Sequence, residues 1–443
     1  MANTYLSRTN VATPTNENKY TLSVWLKKNL NATSGYFITA GGGGGKECSI
    51  GFSSDKFVVQ NYNGTGNDSF FVTNASYRDQ NGWYHIVVNY DSDNATSNLR
   101  NRIFINGIEL TNSNGDFASY DEVSSAYVGL INKASTTVWI GATTWNPGTL
   151  YFDGLMSHFH FCDGQSYDAT AFGEYDANGV WKIKTSPSVT YGTNGFFILK
   201  DGNSVTDQSG NGNNFTVGGG TLTNTEDSPS NVFATWNSLF RKGTSTPAFS
   251  NGNLTSTFDD GGANEFALTT LGASSGKYYA EIKWTSATGT GATSTGILDM
   301  GYSGTADPNN AVTNTFAYFG NGNKNVSGSA SSYGSSYTSG DIIGIAMDLD
   351  NNNLYFHKNG TYQNSGDPTS GATGTGAIST IAGVTYGFMT SDYNNKVCQL
   401  NTGNGYFGTT AVASAGTNAS GIGIFEYDVP TGYTALSTKG LNL

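Results

Sequence analysis

The chain has 443 residues, of which 12% are charged, 37% hydrophobic and 13% aromatic, and it carries a formal net charge of −12. Apolar residues plus 59 glycines make up roughly half of the chain, as in globular proteins, so its composition excludes a disordered chain. The shortage of Glu, Lys and Arg argues against helices, and the acidic balance makes nucleic acid and anionic membranes poor partners.

Short runs of alternating apolar and polar residues predict strands in the first half of the chain, with no helical spacing. The pair Asn106 and Gly107 lies between two apolar runs, which predicts a tight hairpin because both turn positions need a positive φ. This spacing of strands and turns is typical of a β-sandwich. The predicted strands cover residues 20–26, 83–90, 102–105, 108–110, 138–140 and 152–162.

A second set of predicted strands follows, and it implies a second sandwich. Glycine- and serine-rich stretches at 320–336 and 365–380 predict long loops between these strands. A Gly- and Asn-rich connecting segment at about 201–232 separates the two sets, so we predict domains at 1–232 and 233–443. The strands of the second set cover residues 277–284, 342–349, 354–357, 386–390 and 397–400.

The cysteines and the N-terminal sequence indicate in which cellular compartment the chain is made. Cys48, Cys162 and Cys398 are odd in number and far apart, which predicts buried, reduced thiols rather than a disulfide framework. The first 20 residues lack a basic segment followed by an apolar run, and no run of 18 apolar residues occurs. We therefore expect synthesis in a cytosol and no membrane insertion.

Two sets of motifs resemble known sandwich families. Four segments in order resemble a laminin-G-like, concanavalin-A-type jelly roll, at residues 20–26, 82–88, 105–107 and 152–155. Three later segments resemble a SPRY domain, at residues 276–281, 344–350 and 356–360. These resemblances imply an all-β chain made of two antiparallel sandwiches, a laminin-G-like jelly roll followed by a SPRY-like sandwich.

Three further segments, 5–9, 227–235 and 430–436, resemble large structural proteins of tailed phages, especially those infecting marine bacteria. This resemblance implies a non-enzymatic virion protein, tail-fibre-like or receptor-binding, made in the host cytoplasm. Its expected partners are other virion proteins and a host surface glycan or protein recognised through sandwich loops, and a homo-oligomer is expected. The alternatives are a capsid-decorating or tail-associated protein and, third, a polysaccharide depolymerase.

Two patterns resemble sites of chemistry. His158, His160 and Cys162 share one face of a predicted strand, a possible zinc arrangement, but the neighbouring phenylalanines favour a packed core strand. Glu174 and Asp176 resemble a glycosidase pair without its third acid. We therefore predict no catalytic residue, no metal ligand and no cofactor.

One further pattern bears on calcium, which is a possible but unsupported ligand of the loops. The segment 348–359 begins like a calcium-binding loop, but Asn353 and Asn359 replace the glycine and the bidentate glutamate that such a loop needs. The pattern therefore favours a tight turn, and calcium binding lacks support.

Loops rich in Tyr, Ser, Gly and Asn resemble the composition of binding paratopes. Trp145, Asn146 and Tyr151 lie in or beside a predicted turn, where aromatic rings could stack on a sugar. Tyr302 and Tyr393 are the corresponding candidates in the second module. The alternative is that these rings fold back over the edge of the sandwich.

Overall fold

The computed structural model describes residues 3–29, 33–144, 150–200, 204–240, 247–259, 264–303 and 314–443. The chain divides into two compact units, unit 1 (Met1–Asn224) and unit 2 (Thr225–Leu443). The predicted boundary near residue 232 falls just after this division. The described ranges contain strands and single-turn 3-10 helices, so the predicted all-β fold class is confirmed.

The strands of unit 1 follow the alternating apolar pattern of the sequence. They are β1 (Tyr5–Thr9), β2 (Lys19–Lys28), β3 (Gly35–Gly41), β4 (Glu47–Ser53), β5 (Lys56–Tyr62), β6 (Asn67–Ser76), β7 (Tyr84–Asp91), β8 (Asn101–Ile105), β9 (Ile108–Leu110), β10 (Phe117–Asp121), β11 (Thr137–Ile140), β12 (Gly154–Asp163), β13 (Gly173–Tyr175), β14 (Trp181–Ile183), β15 (Phe196–Ile198) and β16 (Thr216–Gly219).

Two large antiparallel sheets form the sandwich of unit 1. The eight-stranded sheet has the order β10-β6-β5-β4-β3-β11-β1-β16, and the six-stranded sheet has the order β15-β12-β2-β7-β8-β9. Side chains from both sheets, such as Leu22, Ile50 and Phe159, form the buried core. Strands β13 and β14 form a separate hairpin.

Unit 2 is built in the same way. Its strands are β17 (Ala248–Ser250), β18 (Thr255–Thr257), β19 (Glu265–Leu268), β20 (Lys277–Ser286), β21 (Ser294–Asp299), β22 (Thr315–Phe319), β23 (Asn323–Val326), β24 (Ser329–Ser332), β25 (Ile342–Asp348), β26 (Asn353–Lys358), β27 (Thr361–Tyr362), β28 (Ile378–Ser379), β29 (Tyr386–Asp392), β30 (Val397–Asn401), β31 (Tyr406–Phe407), β32 (Thr410–Ala411) and β33 (Thr434–Ala435).

The sheets of unit 2 also form a sandwich. One has the main order β17-β18-β30-β20-β25-β26-β27, with β28 beside β26 and β33 beside β20, and the other has the order β19-β29-β21-β22-β23-β24. The core between them includes Trp284, Phe316 and Phe356. The parallel pairing of β33 with β20 brings the end of the chain onto the first sheet.

Single-turn 3-10 helices connect several strands. None of the helices in the described ranges is long and apolar enough to cross a bilayer. They lie at Gly43–Gly45, Ser97–Leu99, Asn112–Asn114, Leu130–Asn132, Ala169–Ala171, Gln363–Ser365, Gly371–Thr373 and Gly440–Asn442.

The outer faces of two sheets are covered as well. In unit 1, Phe172 and Trp181 from residues 164–191 pack against the six-stranded sheet. In unit 2, Phe425 and Tyr433 pack against Tyr279 on the outer face of the first sheet. We call residues 413–436 the C-terminal cover.

Two expectations about irregular segments are corrected by the strand assignments. The stretch 320–336, predicted to be a loop, contains the hairpin β23–β24, because strands at a sheet edge pair through their backbones without apolar side chains. The connecting segment 201–232 contains β16, which pairs with β1 and so belongs to the eight-stranded sheet.

Candidate functional site

A cleft of about 450 Å³ lies where the two sheets of unit 1 end, between the edge strand β9 and the edge strand β10. We call it the β9–β10 cleft. Most of its lining side chains are polar, and two are aromatic. The lining residues are Ser97, Asn98, Leu99, Asn101, Arg102, Glu109, Leu110, Thr111, Asn112, Ser113, Phe117, Tyr120 and Glu122.

The predicted hairpin places an ion pair on one wall of this cleft. Asn106 and Gly107 have φ of 50° and 82°, so the chain reverses tightly and β9 returns beside β8. Arg102 Nε donates to Glu109 Oε1 at 2.7 Å, and Nη2 donates to Oε2 at 2.6 Å. The guanidinium also lies 4.9 Å from the ring centroid of Phe104. Its hydrogen bonds to Glu109 raise the pKa of Arg102, so the guanidinium stays charged.

Hydrogen bonds also fix the connection from β9 to β10. The backbone N–H of Thr111 donates to Asp116 Oδ2 at 2.8 Å, and Thr111 Oγ1 accepts from the N–H of Asn114 at 3.3 Å. Arg100 Nη1 donates to the carbonyl of Val123 at 3.1 Å, which ties the turn before β8 to the chain after β10. The walls of the cleft are therefore held in place without a ligand.

Aromatic rings form the opposite wall. The Tyr120 ring lies 5.2 Å from the rings of both Phe71 and Phe117, measured between centroids. Burial, followed by the negative charges of Glu122 and Glu109, raises the pKa of Tyr120. The phenol therefore keeps its proton at neutral pH and can donate a hydrogen bond.

Asn101 is the most buried polar residue of the lining, with 6% of its surface exposed. Neither Nδ2 nor Oδ1 of its side chain has a hydrogen-bond partner. Nearly all buried polar groups in proteins are hydrogen-bonded, because an unpaired one costs about 1–3 kcal/mol. Both atoms are themselves buried, so this unpaired amide is enclosed by the protein and not exposed to the cleft.

The charges of the cleft suit binding better than hydrolysis. Glycoside hydrolysis needs a carboxylic acid kept protonated by apolar surroundings and a second carboxylate across the substrate. Both oxygens of Glu109 are occupied by Arg102, and Glu122 is exposed. Together with Arg102, these two carboxylates give the lining a formal charge of about −1, from one cation and two anions.

The histidines of unit 1 are packed inside it. Trp181 Nε1 donates to His85 Nδ1 at 3.0 Å, so the ring hydrogen is on Nε2, which donates to Ser23 Oγ at 2.9 Å. Burial lowers the pKa of His85 to about 3, so the ring is neutral. His85 is therefore not a base for Ser23, and the pair differs from a nucleophilic dyad.

The His158, His160 and Cys162 pattern also lies in buried surroundings. The His160 ring stacks on Phe197 with centroids 3.9 Å apart, and its Nδ1 lies 2.9 Å from the Tyr191 hydroxyl. Cys162 is fully buried. Within the described ranges, no group of three His, Cys, Asp or Glu side chains could hold a metal ion.

Unit 2 contains a chain of buried hydrogen bonds below the C-terminal cover. The backbone N–H of Gly360 donates to His357 Nδ1 at 3.1 Å, so Nε2 carries the ring hydrogen and donates to the Tyr279 hydroxyl at 2.6 Å. Tyr279 then donates to Glu281 Oε1 at 3.0 Å. Burial lowers the pKa of His357 to about 3, which keeps the ring neutral.

Glu281 receives three more donors. The backbone N–H groups of Glu426 and Tyr427 each donate to its carboxylate at 2.8 Å, and Asn401 Nδ2 donates at 3.2 Å. Its side chain is fully buried, and burial raises its pKa to about 7 against the opposing effect of these donors. Because the network is closed to solvent and ends on the C-terminal cover, we interpret it as an anchor for this segment.

The five binding residues predicted from the sequence have different positions. Trp145 and Asn146 lie outside the described residues. Tyr151 is half-buried and forms an isolated bridge with Tyr36, and it is not part of the cleft lining. In unit 2, Tyr302 is half-buried and packs beside Met300 on the outer face of the second sheet.

Tyr393, the remaining candidate, is half-buried, and its backbone N–H donates to Asp392 Oδ1 at 2.9 Å.

The sequence patterns did not predict the β9–β10 cleft. Its lining comes from three separate segments, 97–102, 109–113 and 117–122, and none of them carries a motif. The one available signal was the opposite charge of Arg102 and Glu109 on the two sides of the Asn106–Gly107 turn.

The cysteines give a direct test of the packing of both units. All three are free and buried, and burial raises the pKa of each thiol. Because the thiolate is the reactive form, we expect a thiol reagent to label none of them in the native chain and all three in 6 M guanidinium. Any labelling of the native protein that precedes unfolding would contradict this packing.

Comparisons with known families support the two-sandwich architecture. Residues 2–166 match the sequence model of the concanavalin A-like lectin/glucanases superfamily, and residues 277–404 match that of the SPRY domain. The expected laminin-G-like and SPRY-like regions are thereby confirmed, one in each unit. A search of curated proteins found no match.

Two solved structures are similar to part of the chain. The SPRY domain of human HERC1 is 18% identical, with a TM-score of 0.28, and the match covers 35% of this chain and 91% of that one. A human SPRY domain is 19% identical, with a TM-score of 0.25, covering 33% of this chain and 90% of that one.

Proposed function

We propose that the chain is a non-catalytic binding protein that recognises a glycan in the β9–β10 cleft of unit 1. The observation that carries this proposal is the cleft itself, which is lined by the aromatic rings of Phe117 and Tyr120, by the Arg102–Glu109 pair and by exposed polar side chains. Sugars bind through such combinations of ring stacking and directed hydrogen bonds. The similarity of residues 2–166 to a superfamily that includes lectins is consistent with this function.

Changing the aromatic wall tests this function. We expect Tyr120→Ala to weaken glycan binding about tenfold, because stacking on an aromatic ring contributes about 1 kcal/mol and the hydroxyl adds a hydrogen bond. A glycan array with the purified full chain identifies the ligand, and titration calorimetry then compares the variants.

Tyr175→Ala is the matched control, because Tyr175 is exposed but lies outside the lining of the cleft. Equal losses for the two variants would argue against the cleft as the binding site. Absence of any binding on an array that includes host surface glycans would overturn the proposed function.

Among the described residues that line the cleft, neither Glu109 nor Glu122 is placed as a protonated acid, which supports a non-catalytic function over a depolymerase. We expect no release of reducing sugar from host polysaccharide, and Glu122→Gln should leave that result unchanged. Release of sugar that is abolished by Glu122→Gln would place a catalytic carboxylate in the cleft.

We further propose that the chain is a virion protein of a tailed phage, receptor-binding or tail-fibre-like, and that it acts as a homo-oligomer. Only the sequence resemblance of the segments 5–9, 227–235 and 430–436 supports this context. Imaging of particles carrying a tagged chain tests it. A position at the tail tip supports host recognition, and a position on the capsid lattice supports the alternative of a decorating protein.

A further inference from the structure

We infer that the β9–β10 cleft selects a glycan that carries a free amino group, and that the carboxylate of Glu122 pairs with the ammonium of that group. This inference rests on the proposed glycan-binding function and extends it to the class of ligand. Three observations carry it: an exposed carboxylate without a cationic partner, an aromatic ring beside that carboxylate, and the negative charges around both.

Glu122 is the charged group of the lining that is open to a ligand. The lining contains three charged side chains, those of Arg102, Glu109 and Glu122. Arg102 and Glu109 bind each other through two hydrogen bonds, so this pair adds little net charge. Glu122 is exposed, and no lysine or arginine of the described ranges forms an ion pair with it. A cationic group of a ligand can therefore reach this carboxylate from solvent.

The ring of Tyr120 lies beside this carboxylate. Tyr120 precedes Glu122 by two residues and is half-buried, so part of the ring borders the cleft. It packs edge-on against Phe71, with an angle of 89° between the ring planes, and this contact holds its orientation. Burial and then the charge of Glu122 raise the pKa of the phenol, which reflects how close the two groups are. An ammonium between them is attracted by the carboxylate and by the face of the ring.

Other charges near this part of the chain also favour a cation. Asp121 is exposed, and Asp68 Oδ2 accepts from the N–H of Ser124 at 3.4 Å, so two more carboxylates lie near Glu122. Arg100 also contacts this segment, but its guanidinium donates to two backbone carbonyls and is not part of the lining. Carboxylates thus outnumber cations here, which disfavours a uronate or a sulfated sugar and favours an amine.

The test compares three sugars that differ only at one position, the methyl glycosides of glucosamine, N-acetylglucosamine and glucose, by titration of the purified full chain. The corresponding galactosides cover the other configuration at the neighbouring carbon. We expect the free amine to bind about tenfold more tightly than its acetylated and hydroxyl counterparts, because an exposed ion pair and a cation–π contact each contribute a few-fold. This preference should shrink as salt is added, since salt screens an exposed charge pair.

Two variants locate the preference at Glu122. Glu122→Gln keeps the size of the side chain and removes its charge, so we expect it to weaken binding of the glucosaminide about fivefold and to leave binding of the glucoside unchanged. Asp121→Asn is the matched control, because it removes the same charge from the adjacent exposed residue, which is outside the lining. Both residues are exposed, so neither variant should change the melting temperature, and a loss of binding cannot be attributed to unfolding.

The inference and the proposed function fail in different ways. If the acetylated sugar or the glucoside binds as tightly as the amine, the inference is overturned while glycan binding by the cleft stands. Equal losses in Glu122→Gln and Asp121→Asn would likewise overturn the role of Glu122. Failure of every glycoside and every arrayed glycan to bind would overturn the proposed function itself.

Discussion

Glu281→Ala is expected to lower the free energy of unfolding of unit 2 by about 4 kcal/mol. The substitution removes the acceptor for four donors, the Tyr279 hydroxyl, the Asn401 amide and the N–H groups of Glu426 and Tyr427. Each buried donor left unpaired costs about 1–3 kcal/mol, partly offset by relaxation of the chain. The C-terminal cover should therefore detach from the sheet before the rest of unit 2 unfolds.

Calorimetry of the full chain measures the loss of stability, and hydrogen exchange locates it. Amide protons of residues 425–427 should exchange much faster in Glu281→Ala than in the native chain. Glu226→Ala, an exposed glutamate of the same unit, should change neither measurement. Unchanged protection of the cover in Glu281→Ala would show that its apolar contacts suffice without the carboxylate.

The same carboxylate gives unit 2 a pH dependence of defined sign. Burial raises the pKa of Glu281 from 4.5 to about 7 in the folded state, so the folded chain binds this proton more tightly than the unfolded chain. Its stabilising contribution is complete below about pH 4.5 and is lost as the pH rises to 7, by about 3 kcal/mol. Glu281→Gln should remove this part of the pH dependence, which denaturant titrations at several pH values would measure.

Asp163→Ala is expected to cost unit 1 a comparable amount, about 4 kcal/mol. Asp163 ends β12 and is fully buried. Its carboxylate accepts from the N–H groups of Thr15, Asn16 and Asn194 and from Nδ2 of Asn132, at 2.7–3.3 Å. One side chain thus satisfies the backbones of two irregular segments, and its removal leaves these donors unpaired.

Asp93→Ala is the control for this variant, because Asp93 is exposed and accepts a side-chain hydrogen bond from Asn18 at 2.8 Å. Asp163→Asn should fall between the two, since an amide keeps one acceptor but directs N–H groups toward other donors. Faster exchange confined to residues near 15 and 194 would confirm the local effect. Equal stability of Asp163→Ala and Asp93→Ala would refute it.

Strands that lie buried in the sandwich could be predicted from the sequence, and a strand exposed on both faces could not. Residues 20–26 and 277–284 alternate clearly, and they form β2 and β20. Strand β24 has four exposed residues and no apolar side chain larger than that of Ala330, so nothing in its composition distinguishes it from a loop. The predicted Asn106–Gly107 turn is confirmed because its signal is local to two residues.

The buried carboxylate of Glu281 shows a different limit of sequence-based prediction. Glu281 lies in the apolar run of β20, and this contrast marks it as unusual in the sequence. Its partners Asn401, Glu426 and Tyr427 come from more than a hundred residues away and could not be predicted. The unpaired side-chain amide of Asn101 could likewise not be predicted, because the sequence does not show which buried polar atoms lack a hydrogen-bond partner in the folded chain.

The serine edge of unit 2 bears on how the protein behaves when many copies are crowded together. Strand β24 ends its sheet with the exposed segment Ser329–Ser332. A free edge can capture a strand from another molecule and start aggregation. Here an added strand would gain main-chain hydrogen bonds but no buried apolar side-chain contacts. The growth of an aggregate from this edge would therefore be only weakly stabilised. An edge of three serines and one alanine thus helps the chain to remain dispersed at high local concentration.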